Sequence, residues 1–520
     1  MLPKKLRKVK RLMKKNSKKD NKDNKNKKSL FQKILDKEKE SRKRDNQSPR
    51  ALEKTTMNTR IIFVMVFFIL IFLFIVIYLV YFQLFKAESL ANNDHNKRNW
   101  IDENAIVRGN IYDTNGKLLV YSEKDENGNN RRIYNFGTVD SSFTGFNSVQ
   151  YGKSGLEKSY NKELLNLSDA PISKFRGMVE KTGLGNNLNL SINQDIQDIA
   201  YKHLQGKTGS IVVMNPKTGE VLAMVSNPSF DPNNIDADWE QLIQNNQGPL
   251  LNRVSQGIYR PGSTFKIVTA AAILDSGVDQ TYNDTGKETI QGYDIKNFDE
   301  QIFGALDLRS AFINSVNTYF AAKTDQMGKD KFKESVEGFM FNKSYDFDLD
   351  VVKSKIPFDD LNQADLAMTG FGYGKTQVTP LHMAMVTSAI ANDGEMMEPI
   401  LVKSVMNKDG KTIKEKNPKV LSKVTSPENA QKIRDLMVGV VNEGTGKAAY
   451  QAGVQIAGKT GTADRENGST DAWFVGFAPA YDPKISIVII LENDGSTGGQ
   501  SAAPIGGALI RDITYSVNLD

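Results

Sequence analysis

The sequence predicts an α+β protein whose larger part, residues 189–520, builds an antiparallel sheet from its two ends and lays helices against the faces. Three observations carry this. Two β-rich runs, GSIVVM and EVLAMVSN, stand near the start of that part around the turn Asn215-Pro216-Lys217-Thr218-Gly219. Three more, VQIAGKTGTA, AWFVGFAPA and KISIVIILEN, follow one another near its end. The long stretch between the two groups is mostly helical in pattern.

Composition narrows the classes. The 520 residues include three His, three Trp and no Cys, which excludes a disulfide scaffold and any thiolate metal site. A hydrophobic share of 39% and a charged share of 25% are ordinary for globular chains, and the length allows two or three domains. The formal charge of +7 is unevenly spread. Residues 1–60 hold 23 Lys/Arg against 7 Asp/Glu, a net of +16, and residues 61–520 hold 45 against 54, a net of −9.

In order along the chain, residues 1–60 read as a disordered basic tail, rich in Lys, Asn, Ser and Arg and without apolar periodicity. Such a tail suits nucleic acid or an anionic membrane surface, and its neighbour decides for the membrane. Ile61 to Phe82 are 22 residues free of charge, with Tyr78 and Tyr81 at the far end and Trp100 beyond. At 1.5 Å per residue they span about 33 Å as a helix, enough for a bilayer and too long for a cleaved signal peptide. The positive-inside bias keeps the tail cytoplasmic and exports everything after residue 83. No nucleic-acid partner is expected.

Residues 83–188 are polar and read as a small support. Asn115-Gly116 is a hairpin signal between two strand-like runs, and Leu156, Tyr160, Leu164 and Leu165 recur at helical spacing behind the candidate cap Ser154. The main domain, 189–520, opens with a short strand and a helix capped by Ser191 or Asn193, and closes with a helix around Pro504 to Val517. There is no internal repeat and no Gly-rich nucleotide fingerprint.

Chemistry enters at GIYRPGSTFKIVTAAAILDSG. Ser263 opens an apolar helix at its positive end, and Lys266 follows one turn along on the same face. A hydroxyl is a poor nucleophile without a base, and an amine serves as that base only when burial or a neighbouring cation lowers its pKa. Alone, Ser-x-x-Lys reads as a cap with a snorkelling Lys. Fifty-two residues on, Ser315-Val316-Asn317 lies in a helical stretch, and 144 residues beyond Ser315 comes Lys459-Thr460-Gly461-Thr462 on a strand.

These three elements, in this order and context, resemble the signatures of the penicillin-recognising serine acyltransferases: Ser-x-x-Lys, Ser-x-Asn and Lys-Thr-Gly. With the anchor and the support, the chain resembles class B penicillin-binding proteins. RGNIYDTNGKLL is similar to the family's Arg-Gly-x-Ile-x-Asp-x-x-Gly element, and Gly370 to Ala384 to its Gly-x-Gly and Thr-Pro-x-x-x-Ala segment. The support is shorter than in many members, no accessory module is expected after the last helix, and there is no room for the glycosyltransferase domain of class A relatives.

The resemblance implies a five-stranded antiparallel sheet flanked by helices, with an all-helical subdomain, and a peptidoglycan D,D-transpeptidase that binds β-lactams covalently and has weak D,D-carboxypeptidase activity at most. Ser263 attacks the penultimate D-Ala carbonyl of a stem peptide and Lys266 takes its proton. Ser315 relays a proton to the leaving amine with help from Lys459. Asn317 holds the peptide amide, and Thr460 and Thr462 bind the terminal carboxylate. The backbone N–H groups of Ser263 and Thr462 form the oxyanion hole, and Gly461 is bare so that substrate lies along its strand. No cofactor or metal is implied. A multi-spanning membrane glycosyltransferase is the expected partner.

Other residues read as structural: His203 and His382 are isolated, Trp473 is core or cleft wall, and Phe341 to Asp350 is a solvated insertion. Rival functions are a β-lactam hydrolase or receptor, which needs a positioned base for water, a non-catalytic scaffold for a glycan polymerase, and a low-affinity transpeptidase insensitive to β-lactams.

Overall fold

A computed structural model describes residues 36, 40, 49–86, 106–126, 128–167 and 183–519. Most of the expected basic tail, and Trp100, lie outside these residues. The chain forms two units, residues 1–96 and 97–520. In the first, a helix runs Pro49–Phe85, and within it Asn58–Gln83 is long and apolar enough to cross a membrane. Side chains from Ile61 to Tyr81 are exposed, an arrangement that water penalises and hydrocarbon does not.

The second unit is organised by two sheets. The larger core surrounds five antiparallel strands in the order Ala457–Asp464, Thr470–Ala478, Ile485–Leu491, Gly209–Met214, Val221–Asn227, so the sheet is assembled from both ends of the main domain as its sequence predicts. All seven residues of Ile485–Leu491 are buried because both faces are covered. Val488 and Ile490 join the core shared with Met383 and Val386 of helix Pro380–Ala391. Ile487 and Ile489 face the other way, among Ile196 of helix Gln194–Leu204 and Ile510 of helix Ala502–Ser516.

The other sheet has six strands in the order Thr412–Glu415, Val402–Met406, Asn187–Leu190, Ile111–Tyr112, Leu118–Lys124, Asn130–Tyr134. Asn187–Leu190 pairs in parallel with Ile111–Tyr112 and antiparallel with Val402–Met406, so it stitches the support to the main domain. The expected boundary after residue 188 falls inside this strand. Asn193 caps the helix that follows, accepting from the backbone of Asp195 and Ile196, whereas Ser191 donates instead to the carbonyls of Val221 at 2.7 Å and Ile400 at 2.8 Å.

Within the support, the expected helix from Ser154 breaks at Tyr160 into two short pieces, Gly155–Ser159 and Asn161–Leu164, which bury Leu156 and Leu164. Glu157 is fully buried between Arg108 and Arg132, with Nε–carboxylate distances of 2.8 and 2.7 Å. The run Phe341 to Asp350 is not a solvated insertion. Phe341 is fully buried, and the Asp348 carboxylate accepts from the Tyr160 hydroxyl, from the backbone N–H of Leu401 and Val402 at 2.9 and 3.0 Å, and from Lys416 at 2.5 Å. The acidic residues that gave this run its solvated look include one that serves as an anchor between support and main domain.

Candidate active site

Ser263 sits where Pro261-Gly262 turns the chain into a single 3-10 turn, Gly262–Phe265, which feeds the helix Lys266–Ser276. The helix therefore begins one tight turn later than its sequence predicts. Within that turn the first backbone N–H groups have no intrahelical acceptor. Ser263 is half-buried, between the buried Gly262, Thr264 and Phe265.

Two glycines let three segments close on one another. A Cβ on Gly372 would stand 2.0 Å from the Gly262 carbonyl, and one on Gly461 would stand 2.9 Å from Thr264 Cγ2 and 3.0 Å from the Pro261 carbonyl. The bare backbone of Gly461 thus makes room for the Ser263 turn. Trp473, on the neighbouring strand, is fully buried beneath this turn, and its indole N–H donates to the Arg260 carbonyl at 3.1 Å, so it belongs to the core.

The lysines converge as well. Lys266 and Lys459 are both fully buried, and both reach Ser315. Lys266 Nζ donates to the Ser315 carbonyl and to Asn317 Oδ1, each at 2.7 Å, and stands 3.2 Å from Ser315 Oγ. Lys459 Nζ donates to Ser315 Oγ at 2.8 Å and to the Thr460 carbonyl at 3.1 Å. Rings complete the walls: Phe320 and Phe371 centre 5.4 and 6.0 Å from Lys266 Nζ, and Phe312 centres 5.8 Å from Lys459 Nζ.

All these oxygen partners are neutral. Burial therefore drives the Lys266 amine well below the usual lysine pKa, and the Lys459 charge beside it pushes the same way. Burial brings Lys459 down to about 7. Two carbonyl-type acceptors match the two N–H bonds of a neutral Lys266 amine, which leaves its lone pair for a hydroxyl proton.

Ser315 is not inside a helix, contrary to its sequence pattern. It lies between helices Leu308–Ile313 and Asn317–Met327 with φ at +59°. A serine held there stores roughly 1–3 kcal/mol of backbone strain. The break turns both the carbonyl and the hydroxyl of Ser315 toward Lys266. Asn317 starts the next helix, and its Nδ2 donates to the Lys296 carbonyl at 3.2 Å.

On the Lys459 strand, Thr462 Oγ1 accepts from the Gly498 N–H at 3.1 Å, and Thr460 Oγ1 lies 2.6 Å from Thr445 Oγ1. Thr445 was not legible as a site residue. Neither was Tyr373, whose hydroxyl donates to the Thr462 carbonyl at 3.3 Å and to Asp464 Oδ2 at 3.1 Å. The only signal for Tyr373 was its place beside the Gly-x-Gly element. His203 pairs with Asp512 at 2.8 Å, and buried His382 contacts the Phe339 carbonyl at 2.7 Å, with burial holding its pKa down at about 4. The arrangement supplies a hydroxyl nucleophile, a neutral amine one turn away, and a second hydroxyl bridging two amines.

Residues 209–511 match the family described as penicillin binding protein transpeptidase domain, and residues 108–182 match the penicillin binding protein A dimerisation domain. The chain is 36% identical over 468 residues to the peptidoglycan D,D-transpeptidase PbpA of Mycolicibacterium smegmatis, covering 82% of this chain and 93% of that one. Among solved structures, the D,D-transpeptidase domain of a peptidoglycan glycosyltransferase from Eggerthella lenta superposes with a TM-score of 0.73 at 37% identity, covering 79% of this chain and 99% of that one. The penicillin G acyl-enzyme complex of penicillin-binding protein A from Mycobacterium tuberculosis superposes at 0.72 and 32% identity, covering 79% and 100%.

Proposed function

Because this chain belongs to the penicillin-binding protein transpeptidase family, we propose that its peptidoglycan D,D-transpeptidase chemistry runs through an acyl-enzyme on Ser263. Neutral Lys266 accepts the Ser263 proton as Oγ attacks the penultimate D-Ala carbonyl. The oxyanion that forms is held by the N–H groups of Ser263 and Thr462, a contribution typically worth about 3–4 kcal/mol per donor. The departing D-Ala amine takes its proton from Ser315, which is replenished by the lysines on either side of it. An amine of a neighbouring stem peptide then attacks the ester carbonyl and gives up a proton to Lys266, which passes it to Ser263 Oγ as the ester C–O bond breaks and the new amide bond is left.

Asn317 orients the stem-peptide amide, and Thr460 and Thr462 hold the terminal carboxylate beside Lys459. A β-lactam enters the same path and stays as the ester. In this reading residues 1–60 remain in the cytoplasm, 61–82 cross the membrane, and the support (83–188) and transpeptidase domain (189–520) work outside. The glycan strands come from a multi-spanning membrane glycosyltransferase that meets the helix and the support.

The observation that carries this reading is the convergence of Lys266 and Lys459 on Ser315 Oγ, at 3.2 and 2.8 Å, with only neutral partners around them. Labelling with a fluorescent penicillin tests it. The wild type should hold the label and Ser263→Ala should not. Rapid release of the label would mark a hydrolase, and no label on either protein would leave a scaffold or a β-lactam-insensitive transpeptidase.

A further inference from the structure

The helix that begins at Asn317 carries no cap of its own. Val316 stands at the capping position with a side chain that accepts no hydrogen bond, so the first backbone N–H groups of Asn317–Met327 need acceptors from elsewhere. A distant segment supplies one: Asn297 Oδ1 takes the Thr318 N–H at 3.1 Å. Its neighbour supplies the next, since the Lys296 carbonyl accepts from Asn317 Nδ2 at 3.2 Å. Two consecutive residues, Lys296 and Asn297, thus grip two consecutive residues, Asn317 and Thr318.

The grip is built from buried groups: Asp284, Asn297 and Thr318 are all buried. Asn297 Nδ2 lies 3.0 Å from each oxygen of the Asp284 carboxylate and donates to the Gln301 carbonyl at 3.0 Å. The same carboxylate accepts from the Thr318 hydroxyl at 2.7 Å and from the backbone N–H groups of Gly286 and Phe303 at 3.1 and 2.8 Å. Removing Asn297 would leave the Thr318 N–H short of its acceptor and Asp284 short of a donor, both in the interior. Between Asn297 and Gln301 the chain turns through Asp299 and Glu300, whose φ values are +52° and +55°. Two such non-glycine residues in succession persist only where surrounding contacts dictate the path.

The consequence falls on Lys266. A carbonyl oxygen can only accept, so the Lys296 carbonyl fixes which end of the Asn317 amide it meets: Nδ2 turns to Lys296, and Oδ1 turns to Lys266 Nζ, 2.7 Å away. With Oδ1 there, the amide takes an N–H of the amine and leaves the lone pair for a hydroxyl proton. With Nδ2 there, the amide would donate to that lone pair and occupy it. We infer that Asn297 is a positioning residue for acylation: through Thr318 and the Lys296 carbonyl it holds Asn317 in the orientation that keeps Lys266 free to act as a base. This role rests on Lys266 being the base toward Ser263.

Acylation of the full chain in detergent by a fluorescent penicillin, measured as a saturating rate across pH, tests the assignment. Asn297→Ala should slow that rate about 10- to 10²-fold in a protein still folded by circular dichroism, the loss expected when a reacting group is misplaced by about 1 Å. The rising limb of its pH profile, set by Lys266 losing its proton, should move to lower pH, because Asn317 no longer offers its oxygen to the ammonium form. A merely structural role would lower the melting temperature and leave that limb in place. Thr318→Val, which removes only the hydroxyl that Asp284 accepts, should slow acylation about 3- to 10-fold, and Thr318→Ser, which keeps that hydroxyl, should restore most of the rate. This second pair decides the matter should Asn297→Ala fail to fold. A folded Asn297→Ala with the wild-type rate, a rising limb that stays in place or moves to higher pH, or a Thr318→Val no slower than Thr318→Ser would overturn the proposal. A wild type that takes no label would instead overturn the acyl-enzyme on Ser263, and this role with it.

Discussion

Two clusters of buried charged groups are treated in opposite ways. In the support, Glu157 is enclosed by Arg108 and Arg132 at bonding distance. Burial alone would raise its pKa, but the two guanidinium groups outweigh burial and hold the carboxyl below its ordinary range. Around Ser315, two lysines are buried with neutral partners only, and burial followed by mutual repulsion drives Lys266 toward the neutral amine. Opposite charges make a fixed joint whose members stay ionised. Like charges make a reactive one, because a buried amine that has lost its proton is a base in waiting.

Substitutions in each cluster should separate these roles. Lys266→Met should lower the rate of penicillin acylation roughly 10²- to 10⁴-fold, the range for loss of a positioned general base, with the protein still folded by circular dichroism. Glu157→Gln should reverse that pattern. Leaving two buried guanidinium groups short of a counter-charge should cost about 3–5 kcal/mol in denaturant unfolding, with the acylation rate of the folded protein close to that of wild type. The wild-type joint is also pH-dependent. A depressed carboxyl pKa stabilises the fold above about pH 4.3, the unfolded value, and that stability is lost as pH falls through the lower folded value. Glu157→Gln should flatten this acid limb.

Smaller, and mixed in sign, is Ser315→Gly. Glycine tolerates the +59° φ that serine does not, so the fold should gain up to about 1 kcal/mol, while acylation slows because the bridging hydroxyl is gone. A protein that lost stability and kept its acylation rate would place Ser315 in the structural class with Glu157.

The same contrast marks what could be read from sequence. Spacing and apolar runs were enough to set Ser263 three residues ahead of Lys266 at the start of a helix and to place Lys459 on a strand. Alternating and continuous apolar runs likewise located all five strands of the main sheet. Contacts made across the fold were not legible. Thr445 reaches Thr460, and Tyr373 reaches Thr462, only because separate segments meet in space. The helix break at Ser315 was hidden because Phe312, Val316, Tyr319 and Phe320 keep an apolar helical pattern through it. The joining of support to main domain rests on pairing of Ile111 with Leu188 and of Leu188 with Val405, separations that no local pattern reports. Asp348 looked solvated because it is acidic, and its partners lie on three other segments.

The central claim is that Lys266 works as a neutral amine held so by burial and by Lys459. The pH profile of the second-order rate of penicillin acylation, measured on wild type and Lys459→Met, tests it most directly. In wild type the rate should rise as Lys266 loses its proton well below the usual lysine pKa, and fall as Lys459 loses its own near 7. In Lys459→Met the rising limb should move to higher pH, since the neighbouring like charge is gone, and the falling limb near 7 should vanish. A rising limb that stays in place, or moves to lower pH, would contradict the account.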